Sequence, residues 1–264
     1  MADALPPRPH LRGGCSSAEA WCGVYAVCTL CILLFSLGLY GAREFTYFTT
    51  WGLTAHVLFG GLLVLEQTRV ARNVAMGRSP ASYEPACLFW GAPVVHGVAW
   101  AIWVIVTVMF RADPMMLSRL YGNMGASATE GLPDVLDAHL MVHFVPLGLL
   151  CGVLVARADV LAVVFQDVYL AETPTWNAYW RQRAKMGAQL FVVPSLPLLI
   201  YRVCFSYAEV YKTHTAPGLL YGTAAATIAL SNGALWVLLV RRRPTSPLVA
   251  HLKQMYGRAR VPLR

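Results

Sequence analysis

Apolar residues along the chain gather into six runs, each bounded by shorter stretches that hold nearly all of the charged positions. They fall at about 21–41, 48–65, 87–110, 138–156, 188–207 and 217–240. Each is close to the roughly 20 residues, at about 1.5 Å apiece, that carry a helix across the hydrocarbon core of a bilayer. Lipid offers no partner to a bare peptide group, so such runs fold as helices that satisfy their own backbones. The pattern predicts an all-α polytopic membrane bundle of six transmembrane helices. It divides the chain into an N-terminal arm (1–20), a six-helix transmembrane domain (21–240) and a basic C-terminal tail (241–264). There is no internal repeat and no low-complexity stretch.

Composition strengthens that assignment. Of 264 residues, 57% are hydrophobic and 13% charged, against about 25% charged in soluble domains. Disordered tails, collagens, disulfide-stapled secreted modules and soluble nucleic-acid binders need other compositions. The net charge of +8 is therefore no sign of a nucleic-acid partner. Sixteen of the 21 basic residues flank the spans on one side: the N-terminal arm, the loops at 66–86 and 157–187, and the tail. Arg43, Arg111, Arg119 and Lys212 flank the other side, and Arg202 lies inside the fifth span. This asymmetry predicts that both termini face the cytosol, as the positive-inside rule requires for an even number of spans.

Polar residues with Pro6, Pro7 and Pro9 precede the first run, so it reads as a signal anchor or first span and not as a cleaved signal peptide. Trp176, Tyr179 and Trp180, beside Arg181, Arg183 and Lys185, have the composition of an interfacial belt. Residues 160–169 suit a surface helix. The tail, from Arg241, Arg242 and Arg243 to Arg264, suits either a stop-transfer flank or an anionic lipid surface. Cys28 and Cys31, within the first span, are expected as small buried hydrophobes, not as a disulfide or redox pair.

The 13 acidic residues all fall outside the six runs, and besides Cys and Tyr the ionisable residues within them are His56, His96, His139, His143 and Arg202. Ionisable groups at membrane depth are functional candidates by default. The second and fourth runs both begin on the non-cytosolic side. Thr49 and Thr50 therefore stand at one boundary, with His139 and His143 roughly 1.5 and 7.5 Å below the corresponding boundary of the fourth run. A hydroxyl is a poor nucleophile at its own pKa, and an imidazole that takes its proton and later returns it to the leaving group is the minimum arrangement for ester cleavage. The other role open to such residues is helix knitting: threonine bonding the carbonyl four residues back, histidine bridging neighbouring helices.

The local strings go further. Tyr47-Phe48-Thr49-Thr50-Trp51-Gly52-Leu53 resembles the Tyr-(Leu/Phe)-Thr-x-Trp-Gly element of the androgen-induced protein family. Asp137-Ala138-His139-Leu140-Met141-Val142-His143-Phe144-Val145-Pro146 is similar to that family's histidine element, in which a His precedes a Pro near the start of the fourth span. The resemblance spans architecture and topology but is residue-specific over 7 positions of the first string and 10 of the second. It implies a six-span membrane hydrolase of fatty acid esters of hydroxy fatty acids, working through a threonine nucleophile and a histidine base without a cofactor or metal. Carried over, the threonine falls on Thr49, with Thr50 the second choice. Pro146 selects His143. Counting from the first His of the element instead leaves His139, since vertebrate members place their catalytic His three residues after an Asn-His pair and here the interval from His139 to His143 is four. Such an enzyme takes a lipid substrate from the bilayer and resides in the endoplasmic reticulum or plasma membrane. Arg202, in the outer third of the fifth span, is positioned to hold the substrate's free carboxylate or to snorkel to the outer headgroups.

Four other classes compete. A b-type haem electron carrier would use His56 and His143, yet a second pair is missing because the fifth run has no histidine to partner His96. A di-iron oxidase or zinc hydrolase would use the His-x-x-x-His spacing of His139 and His143 but needs further ligands. A transporter would want an acidic relay and a repeat. A non-catalytic scaffold or receptor needs only helix knitting, for which Gly60-Gly61, Gly222, Ala224–Ala226, His96, Ser231 and Asn232 are suited.

Overall fold

A computed structural model describes residues 17–75, 86–112, 141–169, 175–205, 210 and 217–242. All the regular structure among them is helical. In chain order the elements are α1 (Ser17–Tyr40), a 3-10 turn (Gly41–Thr46), α2 (Phe48–Ala75), α3 (Ala86–Ala112), α4 (Val145–Ala156), α5 (Ala158–Tyr169), α6 (Trp176–Gly187), a π turn (Ala188–Val192), α7 (Val193–Cys204) and α8 (Pro217–Arg241). Five helical stretches are long and apolar enough to span a bilayer, and the bent pair of α4 and α5 brings the number to six. The chain is an all-α, multi-pass membrane bundle.

Its surface is built for lipid. On α1 the positions turned inward are Cys22, Tyr25, Thr29, Ile32, Leu33 and Ser36, the three-to-four spacing of one helix face, while Val24, Val27, Leu34 and Phe35 point out. Thr29 and Ser36 are thus inside, while four of the large aliphatic and aromatic side chains of α1 are outside. Gly41 ends the helix at φ +69°, a left-handed conformation that side chains with a Cβ resist. The turn it starts is short, so α2 returns antiparallel along α1. Gly60 is where the two approach most closely: a Cβ there would lie 2.9 Å from the Ala26 Cα, whereas Gly61 faces open space. Only the first of that glycine pair is an interhelical contact, and Gly222 likewise faces open space.

Three sequence expectations change. The second span does not stop at residue 65: α2 runs on to Ala75, and its apolar stretch reaches Arg69. Glu66 therefore lies inside it, and buried. The acids do not all fall outside the spans, because a helix ends where its capping and propensity fail and not where an apolar window closes. Residues 160–169, expected as a surface helix, belong to α5, which bends 68° from α4 and buries Leu161, Ala162, Phe165 and Tyr169 in the core. It clasps the end of α8: Gln166 Nε2 donates to the Leu239 carbonyl at 3.0 Å and the Arg242 carbonyl at 2.8 Å, and Arg242 Nε meets Asp159 Oδ1 at 2.6 Å. Cys28 is half-buried and Cys31 exposed, both free, so burial describes Cys22 and not that pair.

The centre of the bundle is held by amides and prolines. Proline has no N–H, so Pro93 deprives the Phe89 carbonyl and Pro194 the Leu190 carbonyl of the donor four residues on. Gln189 Nε2 donates to the Phe89 carbonyl while its Oε1 accepts from the Tyr169 hydroxyl. Asn232 Nδ2, from α8, donates to the Leu190 carbonyl at 2.8 Å and the Pro93 carbonyl at 3.0 Å. Trp100 Nε1 donates to His96 Nε2 at 3.0 Å, which leaves Nδ1 as the protonated nitrogen facing Asn232 Oδ1 at 3.0 Å. In a medium without water each orphaned carbonyl costs free energy. Two side-chain amides recover both and tie α3, α8 and the π turn together.

Candidate functional site

The first turn of α2 is fixed from outside the helix. Tyr201 Oη, on α7, donates to the Thr46 carbonyl at 2.7 Å, and Trp51 Nε1 donates to the Phe45 carbonyl at 2.9 Å. Tyr201 packs at 5.1 Å from the Phe48 ring and 5.7 Å, edge on, from Trp51; Phe205 closes the group at 5.9 Å from Trp51. The Tyr-Phe-x-x-Trp part of the string is thereby an anchor: its aromatics hold the start of the helix against α7.

The two threonines are left in different surroundings. Thr50 is fully buried, and its carbonyl accepts from Thr54 Oγ1 at 2.8 Å in the ordinary back-bonding pattern. Thr49 is half-buried. It precedes His56 by seven residues, two turns, and so shares its helix face. That is the face on which Gly60 meets α1, and on the α3 side of it Gly52 leaves room for the Ile102 side chain.

His143 lies in the turn that leads into α4 and is buried. Its neighbours show which helices it enters between. Val142 packs against Ile32, Leu33 and Leu53 of α1 and α2, and the Phe144 ring stands edge on to Trp103 of α3 at 6.2 Å. Leu53 is one turn from Thr49, and Trp103 follows the Ile102 that fills the notch at Gly52. Val142, the residue before His143, thus packs on a cluster that includes Leu53, one turn along α2 from Thr49. His139 and Asp137 lie outside the described residues.

The remaining predicted residues stand elsewhere. Arg202 is exposed near the end of α7, its guanidinium carbon 5.3 Å from the centre of the Tyr221 ring on α8. Tyr201 meets the head of α2, and its neighbour Arg202 points round to α8. His56 shares a 2.7 Å hydrogen bond with the Tyr25 hydroxyl inside the α1–α2 seam. That imidazole is 3% exposed and one turn from the contact at Gly60, with its Nδ1 engaged by Tyr25, so in the competing haem reading only its Nε2 is left as a ligand. His96 has both ring nitrogens engaged, leaving no lone pair for a metal. Ser231 bonds within its own helix, to the Ile228 carbonyl at 3.3 Å, while His96 and Asn232 do knit helices. Among the described residues no three His, Cys, Asp or Glu side chains stand close enough to hold a metal.

Sequence reasoning missed Tyr201, Tyr25 and Gln189, which look like ordinary lipid-span residues until their partners are seen. Gln189 stands at the start of the fifth run, and the carbonyl it reaches, that of Phe89, is orphaned by Pro93 on another helix, so its own surroundings in the sequence carried no signal. Compared with known proteins, the chain matches no family model, no curated protein and no solved structure.

Proposed function

We propose that the protein is a membrane-embedded lipid esterase of the kind found in the androgen-induced protein family, with Thr49 as nucleophile and His143 as general base. The observation that supports it is a shared cluster: Val142, the residue before His143, packs on the group formed by Ile32, Leu33 and Leu53, and Leu53 lies one turn along α2 from Thr49. Partial exposure favours Thr49 over the fully buried Thr50, because a nucleophile must meet an incoming carbonyl.

In this reading His143 takes the proton of Thr49 Oγ1 as that oxygen attacks the ester carbonyl. The carbonyl carbon–alkoxy bond then breaks, and the leaving hydroxy fatty acid receives the proton from His143. Water, deprotonated by the same imidazole, cleaves the acyl-threonine and releases the fatty acid. Arg202, at the same end of the bundle but turned toward Tyr221, is assigned the free carboxylate of the lipid. Replacing it with Leu then slows hydrolysis of the carboxylate-bearing lipid and spares its methyl ester; equal rates for both would remove that role.

A covalent serine/threonine-hydrolase probe tests the dyad in membranes. Wild-type protein is labelled, and Thr49→Ala and His143→Ala are not. Labelling that survives both changes but is lost in Thr50→Ala or His139→Ala moves the site to the other member of each pair.

A scaffold or receptor is the second reading. It is favoured by His56 and His96, both engaged in helix–helix hydrogen bonds and neither available for chemistry. Absence of labelling in the wild type, with no lipid ester cleaved, would leave that reading in place. Residence in the endoplasmic reticulum or plasma membrane, and attraction of anionic lipid to the tail beyond Arg242, belong to this proposal as well.

A further inference from the structure

The helix formed by α6, the π turn and α7 runs 29 residues, Trp176–Cys204. At about 1.5 Å per residue that is roughly 43 Å, some 13 Å more than the hydrocarbon core it crosses. The excess lies at the α6 end. None of the twelve residues of α6 is buried, whereas Gln189 and Leu190 just beyond it are. α6 thus extends past the packed bundle, at the end of the molecule that also holds Arg69, Arg72, Arg157 and Arg241.

Its surface is ordered in a particular way. The Trp176 and Tyr179 rings stack with centroids 5.9 Å apart and planes 15° apart, and Trp180 stands edge on to both. Arg183 lies over the Tyr179 ring at 4.9 Å. Its Nε is shielded from solvent and has no hydrogen-bond partner among the described residues. Arg181 and Lys185, four apart on an adjoining face, are exposed. Thr175 caps the helix, accepting from the Ala178 N–H at 3.2 Å, and Gln182 Nε2 binds the Val168 carbonyl at 2.6 Å, so the segment is held at both its start and its flank. From residue 175 to 187 there are three basic residues and no acidic one.

We propose that α6 is a binding surface for the phosphate of an anionic phospholipid. Rings at headgroup depth fix the height of the helix in the leaflet. Arg183, pre-oriented on Tyr179, turns the terminal N–H groups of its guanidinium to a phosphate oxygen, and Arg181 and Lys185 supply the field that selects a net negative headgroup over a zwitterionic one. The surface is distinct from the residues proposed for ester cleavage, which lie at the opposite end of the bundle, and it does not depend on that function.

The test uses full-length protein in vesicles of phosphatidylcholine with a minor fraction of phosphatidylglycerol. Quenching of tryptophan fluorescence is compared when one lipid or the other carries bromine. Wild type is expected to prefer brominated phosphatidylglycerol by about threefold or more. Trp176→Phe/Trp180→Phe should remove most of that preferential quenching. Native mass spectrometry then counts retained phosphatidylglycerol, which Arg181→Gln/Arg183→Gln/Lys185→Gln should reduce to the level of phosphatidylcholine. All three changes are at surface positions and should leave the helical circular dichroism intact. Equal quenching by the two lipids in wild type overturns the proposal. So does a preference that survives the triple change and disappears when Arg241, Arg242 and Arg243 are neutralised, since the surface would then be the tail.

Discussion

The layer around Asn232 and the layer around Thr49 both set polar side chains among apolar helices, and they treat them differently. At Asn232 an imidazole, an indole, an amide and two carbonyls close into a set of mutual hydrogen bonds, with Asn232 and Gln189 fully buried. At the head of α2 the aromatics are anchored just as firmly, through Tyr201 and Trp51, but the Thr49 between them keeps part of its surface open. A group whose bonds are all made within the bundle is fastening helices. A group held by its neighbours and still reachable is placed to meet something else.

Changes at the open layer should have the largest effect. Thr49→Ala and His143→Ala are each expected to lower ester hydrolysis by about a hundredfold or more, the usual worth of a nucleophile or general base, with little change in melting temperature. A large loss of stability with no effect on cleavage would make the two layers alike.

Next comes the closed layer. Asn232→Leu strands the Leu190 and Pro93 carbonyls and the His96 Nδ1–H, at a cost of about 2 kcal/mol given the modest worth of interhelical hydrogen bonds in membranes. A lower melting temperature in detergent, with hydrolysis kept in the folded fraction, is the expected signature. Pro194→Ala should soften that loss by restoring a donor for Leu190, so the double variant would be more stable than the two single effects summed.

The α1–α2 seam gives a matched pair. Gly60→Ala drives a Cβ into the Ala26 backbone and should destabilise by about 1 kcal/mol or more, while Gly61→Ala, which faces open space, should be close to neutral. Thermal unfolding of the two variants side by side checks it. Smallest of all is Tyr25→Phe, which deletes the hydrogen bond to His56 and should cost about 0.6 kcal/mol. A loss of hydrolysis matching that of Thr49→Ala would instead draw His56 into the open layer.

Much of this was legible from residue order alone. Lipid imposes a length and an apolar composition on any spanning helix, so all-helical class, five of the spans and most of their limits follow from where apolar runs start and stop. The same rule explains the misplacements. An apolar window cannot see that α2 continues past Leu65 and carries Glu66 with it, or that α5 turns 68° to bury a stripe that reads as a surface helix. The candidate site was half legible. His143 stands out because an ionisable side chain is rare at membrane depth, whereas Thr49 was singled out by the resemblance and differs from Thr50 in the structure only in what packs over it.

By itself, then, the sequence determined that this is an all-α membrane bundle with its cations unevenly divided between the flanks of the spans, because those properties depend on the chain and the bilayer as a solvent. Only the tertiary structure decided which polar groups answer one another. Whether a histidine is a tie, as His56 and His96 are, depends on helices far apart in sequence meeting within a few ångströms. That meeting is set by glycine notches, proline-freed carbonyls and aromatic anchors acting between segments, and no single segment carries it.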